Sequence, residues 1–560
     1  MTGHNKRRSR TGSDAPDQGT LSRREMLRRA AMYGLGLAAL PVAASGTRET
    51  GVALAAPASS KPRRGGTFHW YLPDDPPDLD PHMQTTSSLQ WVLGMCYNGL
   101  LRYNVGPGNG ADSEAATTAI PDLAEGFEHP DPLTYVFYLR KGVKFHDGTP
   151  LTAEDVAFSL NRIRTHKAEF QRAYAFTPLD TVRATSERVV TVKLREPYAA
   201  FLNQVAAAYT RIAPKHVIEA KGDMKQAIVG TGPFKLKEYR RGQRMVLVRN
   251  PDYFEPGIPY MDSIEIAIMP DSSTQVAAFA SRRIDLVTPA NFAQAQTLKS
   301  VNPSIVVQEF PEFAMQCLGC NLQRKPLDDI RVRQALWYAI DQQRIIDIVY
   351  QGHGKKQRAV PAPYSGWVVP FDKLPLGDGP NLDKAKKLLA EAGYPNGFSI
   401  KCKTVYRYVQ KEATVAVEMF KAIGVQMEIV DVEYGAFLKA RNTADFELIG
   451  FSLAPFGDIE DYTTALYRTG ASRNFANWGN ADLDKLFDQG RREGDVTKRK
   501  AIFAKIQAVL AENCWVIDLP RYTSVDAWHP YVKDYVPAQN PEKGLAFWRA
   551  WLETGRGGTG

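Results

Sequence analysis

Cys317-Leu-Gly-Cys320 has the spacing of a dithiol that cycles as a redox pair or supplies half of a zinc set. Its setting, Phe313-Ala-Met-Gln-Cys-Leu-Gly-Cys-Asn321, reads as a strand, in which residues three apart point to opposite faces. No second CxxC and no nearby histidine completes a metal set, so packing cysteines are expected. With Cys96, Cys402 and Cys514 the thiols number five, an odd and sparse set that is no disulfide framework. The sequence contains no H-E-x-x-H, no G-x-x-x-x-G-K-[ST] and no G-x-S-x-G, and its nine histidines are scattered. Gly106-Pro-Gly-Asn-Gly110 lacks a following helix pattern and reads as a surface loop. Neither catalysis nor a cofactor nor a metal is expected. What remains is Tyr406-Arg407-Tyr408. The Arg407 guanidinium is a planar fork that matches a carboxylate with two bonds, and the flanking phenols offer flat walls and hydroxyls. The same triplet equally describes a solvated arginine stacked on tyrosines at a strand end.

The elements around these residues alternate between strand and helix. Thr134–Arg140 is rich in β-formers. His146-Asp-Gly-Thr149 is a turn, and Thr152-Ala-Glu-Asp155 starts a helix with Val156, Leu160 and Ile163 on one face. Pro326-Leu-Asp-Asp329 leads a helix striped by Val332, Ala335, Leu336, Ala339 and Ile340, and Asp341 caps the next. Asp383–Ala392 is a further helix, with Gly393 at a left-handed C-cap. Strands are expected at Ser399–Val405 and Val425–Ile429. Gly230 and Gly232 are expected to supply unusual backbone angles ahead of Pro233. The pattern argues for an α/β protein. Its length, 560 residues, suits two or three domains.

The first 55 residues carry nine Lys and Arg against four Asp and Glu, which is more than half of the formal charge of +9. The rest is too nearly neutral to suggest nucleic-acid binding. Ser22-Arg-Arg-Glu-Met-Leu-Arg28 precedes the apolar run 30–44, which is shorter than the roughly 20 residues of a spanning helix. Basic, apolar and small-residue regions come in the order of an export signal. The segment resembles a twin-arginine (Tat) signal peptide, placed at 1–55 with cleavage after Ala44 or Ala55, and a linker follows at 56–66. The first cysteine is Cys96, so no cysteine-linked lipid anchor is expected near the cleavage region. A soluble periplasmic location follows.

Six further stretches occur in order: Pro121-Asp-Leu-Ala-Glu125, Leu139–Val156 (LRKGVKFHDGTPLTAEDV), Gly230-Thr-Gly-Pro-Phe234, Arg249-Asn-Pro-Asp-Tyr-Phe254, Pro326–Leu336 (PLDDIRVRQAL) and Leu388-Leu-Ala-Glu-Ala-Gly-Tyr394. Together they resemble the family 5 extracellular solute-binding proteins, which include oligopeptide-, dipeptide- and nickel-binding members. The resemblance spans about residues 66–550. It implies a two-lobe periplasmic binding fold with the ligand cleft between lobes. Lobe one would take 67–312, with an extra subdomain at about 104–230 and a C-terminal return at 522–560. Lobe two would take 313–521. It implies a monomeric substrate-binding component that hands a peptide or peptide-like solute to the permease subunits of an ABC importer. A sugar, an opine or another small metabolite would fit the same scaffold, as would an enzyme built on it. Peptide-binding members hold the ligand amine with an aspartate in a G-W-x-x-D stretch. Here the stretch is Gly450-Phe-Ser-Leu-Ala-Pro-Phe-Gly-Asp458, with Phe451 for the Trp and Ala454 or Pro455 at the acid position. Asp458, Glu460 and Asp461 are the carboxylates that could substitute. An arginine near the place of Arg407 would meet a ligand carboxylate, with Tyr406, Tyr408, Phe451 and Trp478 as aromatic wall.

Replacing Arg23 and Arg24 by Lys should leave precursor in the cytoplasm, because Lys cannot reproduce the guanidinium fork. Fractionation and immunoblotting of the double variant check this, and normal export of it would remove the Tat assignment.

Overall fold

The computed structural model describes residues 61–553 except 84–85, 112, 167–169, 171–172, 290, 313, 362–365, 406–408, 454–456, 472 and 539–541. Arg23, Arg24 and the leader lie outside the described residues.

Hydrophobic burial divides the chain into one large core built from residues between 68 and 305 and again between 527 and 552, and two further large cores built from residues between 317 and 519. The first core, that of lobe one, sits under a sheet ordered Thr67–Leu72, Ser263–Ile268, Arg244–Arg249, Phe234–Arg240. Only its first pair is parallel. A separate antiparallel sheet, Ala124–Asp131, Thr134–Leu139, Val189–Leu194, Leu179–Ser186, carries the helix Ala153–Thr165. That helix opens as expected: the Asp155 carboxylate accepts from the Thr152 N–H at 3.0 Å and from its hydroxyl at 2.8 Å. The C-terminal strand Arg521–Trp528 lies between Leu286–Val287 and Val306–Pro311, antiparallel to both.

The sheet of lobe two is ordered Val425–Asp431, Phe398–Thr404, Leu448–Leu453, Met315–Cys320, Val516–Leu519. The first three strands are parallel and the last two neighbours antiparallel. Both faces are covered, so side-chain alternation sorts residues between two cores. Leu318, Cys320, Cys402 and Ile517 enter one; Cys317, Ile449, Phe451 and Val516 enter the other. Cys317 and Cys320 therefore face opposite ways, as the strand reading of CxxC requires. All five thiols are buried, and burial pushes the Cys514 thiol up to about 11 and that of Cys320 to about 12.

Two glycines behave differently from expectation. Neither Gly230 nor Gly232 has a left-handed backbone. Each instead lies against the Cys96 carbonyl, where an added Cβ would fall 2.0 Å from its oxygen at Gly230 and 2.4 Å from its carbon at Gly232. Close approach, and not backbone angle, demands glycine there. The same segment is held by His146, whose ring Nδ1 accepts from the Gly230 N–H at 3.3 Å while Nε2–H donates to the Gly232 carbonyl at 3.1 Å.

His82 is built the same way in the interior. Nδ1 accepts from Arg162 at 2.9 Å and Nε2–H donates to the Arg211 carbonyl at 2.7 Å. Both ring nitrogens are committed in the neutral form. Burial, then the Arg162 charge, lowers the His82 pKa to about 4, and burial lowers that of His146 to about 4 as well. Unfolded histidine takes a proton near pH 6.5, so below that pH the unfolded chain binds protons that the folded chain refuses. Stability should fall as pH drops from about 6.5 towards 4, with His82 contributing a loss of about 2 kcal/mol between pH 7.5 and 5. Urea unfolding at the two pH values, in the native chain and in His82→Gln, measures this. The variant should lose less, and an equal loss in both would show that His82 does not set the slope.

Candidate functional site

The register of the lobe-two sheet places several chain ends together. The parallel strands Phe398–Thr404, Val425–Asp431 and Leu448–Leu453 all finish at one edge. Met315, which pairs with Leu453, starts its strand at that edge, and Leu519, which pairs with Gln316, finishes there. Buried residues up to Ile305 belong to the first core and those from Cys317 to Leu519 to the other two, so the chain passes from one set to the other beside Met315 and back beyond Leu519. The carboxyl ends of the parallel strands thus face the junction with lobe one, the place where open α/β sheets bind ligands.

Tyr406, Arg407 and Tyr408 follow the first of these strands and lie outside the described residues, as do Ala454, Pro455 and Phe456 after the third. The flanks of the first triplet are anchored. Val405 is buried in one core of the lobe and Val409 in the other. Val409 packs so tightly over Gly450 that an added Cβ would lie 2.4 Å from its Cγ2. Near the crossing to lobe one, the Tyr350 hydroxyl has two acceptors within reach of its single proton, the Gln316 side-chain oxygen at 2.8 Å and the buried Glu412 carboxylate. Burial raises the Glu412 pKa.

Phe451 and Trp478 come together, but in the core and not as an open wall. Trp478 is 1% exposed; its ring stacks on Phe451 with centroids 5.9 Å apart and meets Phe475 edge-on at 4.8 Å. Its Nε1–H donates to the Cys320 carbonyl at 2.7 Å. Gly319 makes room for both rings, since an added Cβ would lie within 3 Å of each.

Asp458 and Asp461 are also brought to the edge, and both are engaged. Asp458 is 2% exposed and receives both terminal nitrogens of Arg499, at 2.7 and 2.9 Å. It further accepts from the Glu460 N–H at 3.0 Å and from Asn203 Nδ2 at 3.2 Å. Four donors fill the roughly four lone-pair positions of a carboxylate. Burial raises the Asp458 carboxyl, but the charge and hydrogen bonds of Arg499 prevail and hold it below the usual range. Glu460, with its pKa raised by burial, accepts from Arg491 Nε at 2.7 Å. Asp461 accepts from Gln204 Nε2 at 3.2 and 3.3 Å.

Asn203 and Gln204 belong to the core of lobe one by their neighbours Phe201 and Val205. They are joined there by Ala199, whose N–H donates to the Arg491 carbonyl at 2.8 Å, and by Glu196, 3.6 Å from the Arg491 guanidinium. Sequence reading missed this side of the junction, and Arg491 and Arg499 with it. Asn203 lies 255 positions from Asp458, and Arg499, 41 positions from it, sits in Lys498-Arg-Lys500, which on its own reads as a solvated helix face. Among the described residues no group of three or more His, Cys, Asp and Glu is placed to hold a metal ion, and no helix is long and apolar enough to cross a membrane.

Two lobes joined by a double crossing, with strand ends gathered at the junction, define a bacterial two-lobe binding protein. Comparison with known proteins agrees. The model for bacterial extracellular solute-binding proteins, family 5 middle, matches residues 118–475. The dipeptide-binding protein of Escherichia coli is 28% identical over 88% of this chain and 96% of its own length. The oligopeptide-binding protein AppA of Bacillus subtilis is 30% identical over 70% of this chain and 76% of its own. The structure of the ABC transporter-associated periplasmic binding protein DppA of Helicobacter pylori with the peptide STSA superposes with a TM-score of 0.73 at 25% identity, covering 88% and 99% of the two chains. The chain belongs to the family 5 bacterial extracellular solute-binding proteins. Its role is that of a substrate-binding component of ABC import.

Removing Arg499 would leave Asp458 as a buried charge without its main partner and would take from Glu460 the second of its two cations, 3.7 Å away. Arg499→Met should cost about 3–5 kcal/mol, as breaking one side of a buried pair does. Urea unfolding of the variant checks this, and a cost under about 1 kcal/mol would reduce the pair to surface grade.

Proposed function

We propose that this chain binds a peptide or peptide-like small solute at the junction edge of lobe two and delivers it to the permease subunits of an ABC importer. It does so as a monomer, after export through the Tat translocase into a periplasm, and without turning the ligand over. The observation that carries the reading is the gathering of the strand ends at the double crossing between lobes, a hinge geometry that closes over ligand. The names of the relatives, dipeptide- and oligopeptide-binding, favour a peptide. We divide the chain into lobe one at 67–312 with its return at 522–560, and lobe two at 313–521.

A second reading, a non-peptide solute such as a sugar or an opine, is favoured by one specific feature. Ala454 and Pro455 stand where the amine-binding acid is expected, and Asp458 is already saturated by donors. A ligand ammonium left without an acceptor would be costly. In either case Arg407, flanked by Tyr406 and Tyr408, is the group we assign to an anionic part of the ligand.

Mass spectrometry of solute co-purified from native periplasm decides between the two ligand classes. Calorimetry with that solute should show saturable binding, and unchanged solute recovered afterwards separates a binder from an enzyme. If the solute is anionic, Arg407→Ala should weaken binding by about 2–5 kcal/mol. A loss below about 0.5 kcal/mol would move Arg407 off the site.

A further inference from the structure

The polar contacts between the 196–204 segment of lobe one and the 457–491 stretch of lobe two share one property. Each has its donor on one lobe and its acceptor on the other. The Asn203 amide reaches Asp458, the Gln204 amide reaches Asp461, the Ala199 N–H reaches the Arg491 carbonyl, and Glu196 faces the Arg491 guanidinium. The lobe-two side is stiffened independently, because Asp458 and Glu460 are already paired with Arg499 and Arg491 within that lobe. It is a preformed surface that needs no rearrangement to receive the two amides. The fit is also steric. Gly457, at φ 110°, lies directly under the Tyr103 hydroxyl of lobe one, where any Cβ would overlap the oxygen. That hydroxyl in turn donates to the Asn203 carbonyl at 2.9 Å, which ties the steric and the polar contacts together.

We propose that this surface is a closure latch, with Glu196, Asn203, Gln204 and Gly457 as positioning residues that hold the lobes together once the hinge has bent. Hydrogen bonds to charged groups at a half-dry interface contribute more than exposed pairs do. A few of them suffice to bias a two-state opening equilibrium without locking it. Pairing Asp458 inside its own lobe has a further consequence. In the open form the carboxylate keeps Arg499, so at Asp458 opening loses only the Asn203 amide bond and leaves no uncompensated charge there. The latch serves solute capture as proposed above but does not depend on which solute is captured.

The test reads lobe separation directly. All five native thiols are buried, so spin labels on Val301→Cys in lobe one and Val496→Cys in lobe two attach selectively; the two valines are 76% and 49% exposed. Double electron–electron resonance on the full chain, without added ligand, should show open and closed distance populations. In the Glu196→Ala/Asn203→Ala background the closed-to-open ratio should fall about threefold or more, with an unchanged circular dichroism spectrum. An unshifted distribution overturns the latch while leaving solute binding standing. Should the double variant fail to fold, Gly457→Ala decides in the same way: its methyl removes no hydrogen bond but blocks the approach of Tyr103, and an unshifted distribution there overturns the proposal equally.

Discussion

The pairing of Arg521–Trp528 with Val306–Pro311 is the constraint on which the architecture rests. The two strands run antiparallel, with Pro311 opposite Thr523. The chain therefore leaves lobe one and returns to it through neighbouring positions on one sheet. Everything between them is an insertion that must begin and end at one place. The entropic cost of closing so long an excursion grows only as the logarithm of its length, so a paired strand and its buried side chains can offset it. Gly354–Lys355 of lobe two also pairs with the first residues of the returning strand, at Tyr522 and Arg521. The crossing is thus held from both sides.

That constraint orients lobe two. Because Met315 starts and Leu519 ends at the crossing, the antiparallel register with Leu448–Leu453 sends the parallel strand ends to the same edge. Asp458 and Asp461 follow one of those ends, and helices of both lobes bring their partners, Asn203 and Gln204 from Phe201–Ala206 and Arg499 from Val496–Asn513. Gly450 and Gly319 serve the same purpose from inside the sheet. One admits Val409 and the other admits the Trp478 and Phe451 rings, so that the strands can carry large side chains on both faces without losing register.

Most local elements could be read from the sequence because their signals are short-ranged. Asp341 accepts from the Arg344 N–H at 3.0 Å as a cap residue should, Gly393 has φ 90° beyond its helix, and Gly148 has φ 91° in its turn. The opposed faces of Cys317 and Cys320 followed from strand period alone. Where the reading missed, the cause was distant. Nothing in Gly230-Thr-Gly announces that the Cys96 carbonyl, more than 130 positions earlier, presses against it. Trp478 reads as a free aromatic until the Cys320 carbonyl takes its N–H. Asp458 reads as an available acid until Arg499 and Asn203 arrive from elsewhere in the chain. Spacing shows which groups exist, whereas only tertiary contact shows which of them are already occupied.

Occupancy has a chemical meaning at this junction. A buried carboxylate has about four lone-pair positions, and at Asp458 the Arg499 guanidinium takes two while the Glu460 N–H and the Asn203 amide take the others, which leaves none for a ligand ammonium. Arg499 meets Asp458 with both terminal nitrogens in a geometry that water or a single ammonium matches poorly. Displacing it would strand a guanidinium that is itself buried and lies 5.1 Å from the Phe503 ring centroid. Exchanging that pair for a ligand contact would therefore lose more than it gains. Asp458 is committed to structure. The stretches 406–408 and 454–456, which follow the strands Phe398–Thr404 and Leu448–Leu453 in sequence, supply one arginine, three aromatic rings, one proline, one alanine and no carboxylate, so neither brings a second acid to compete for Arg499.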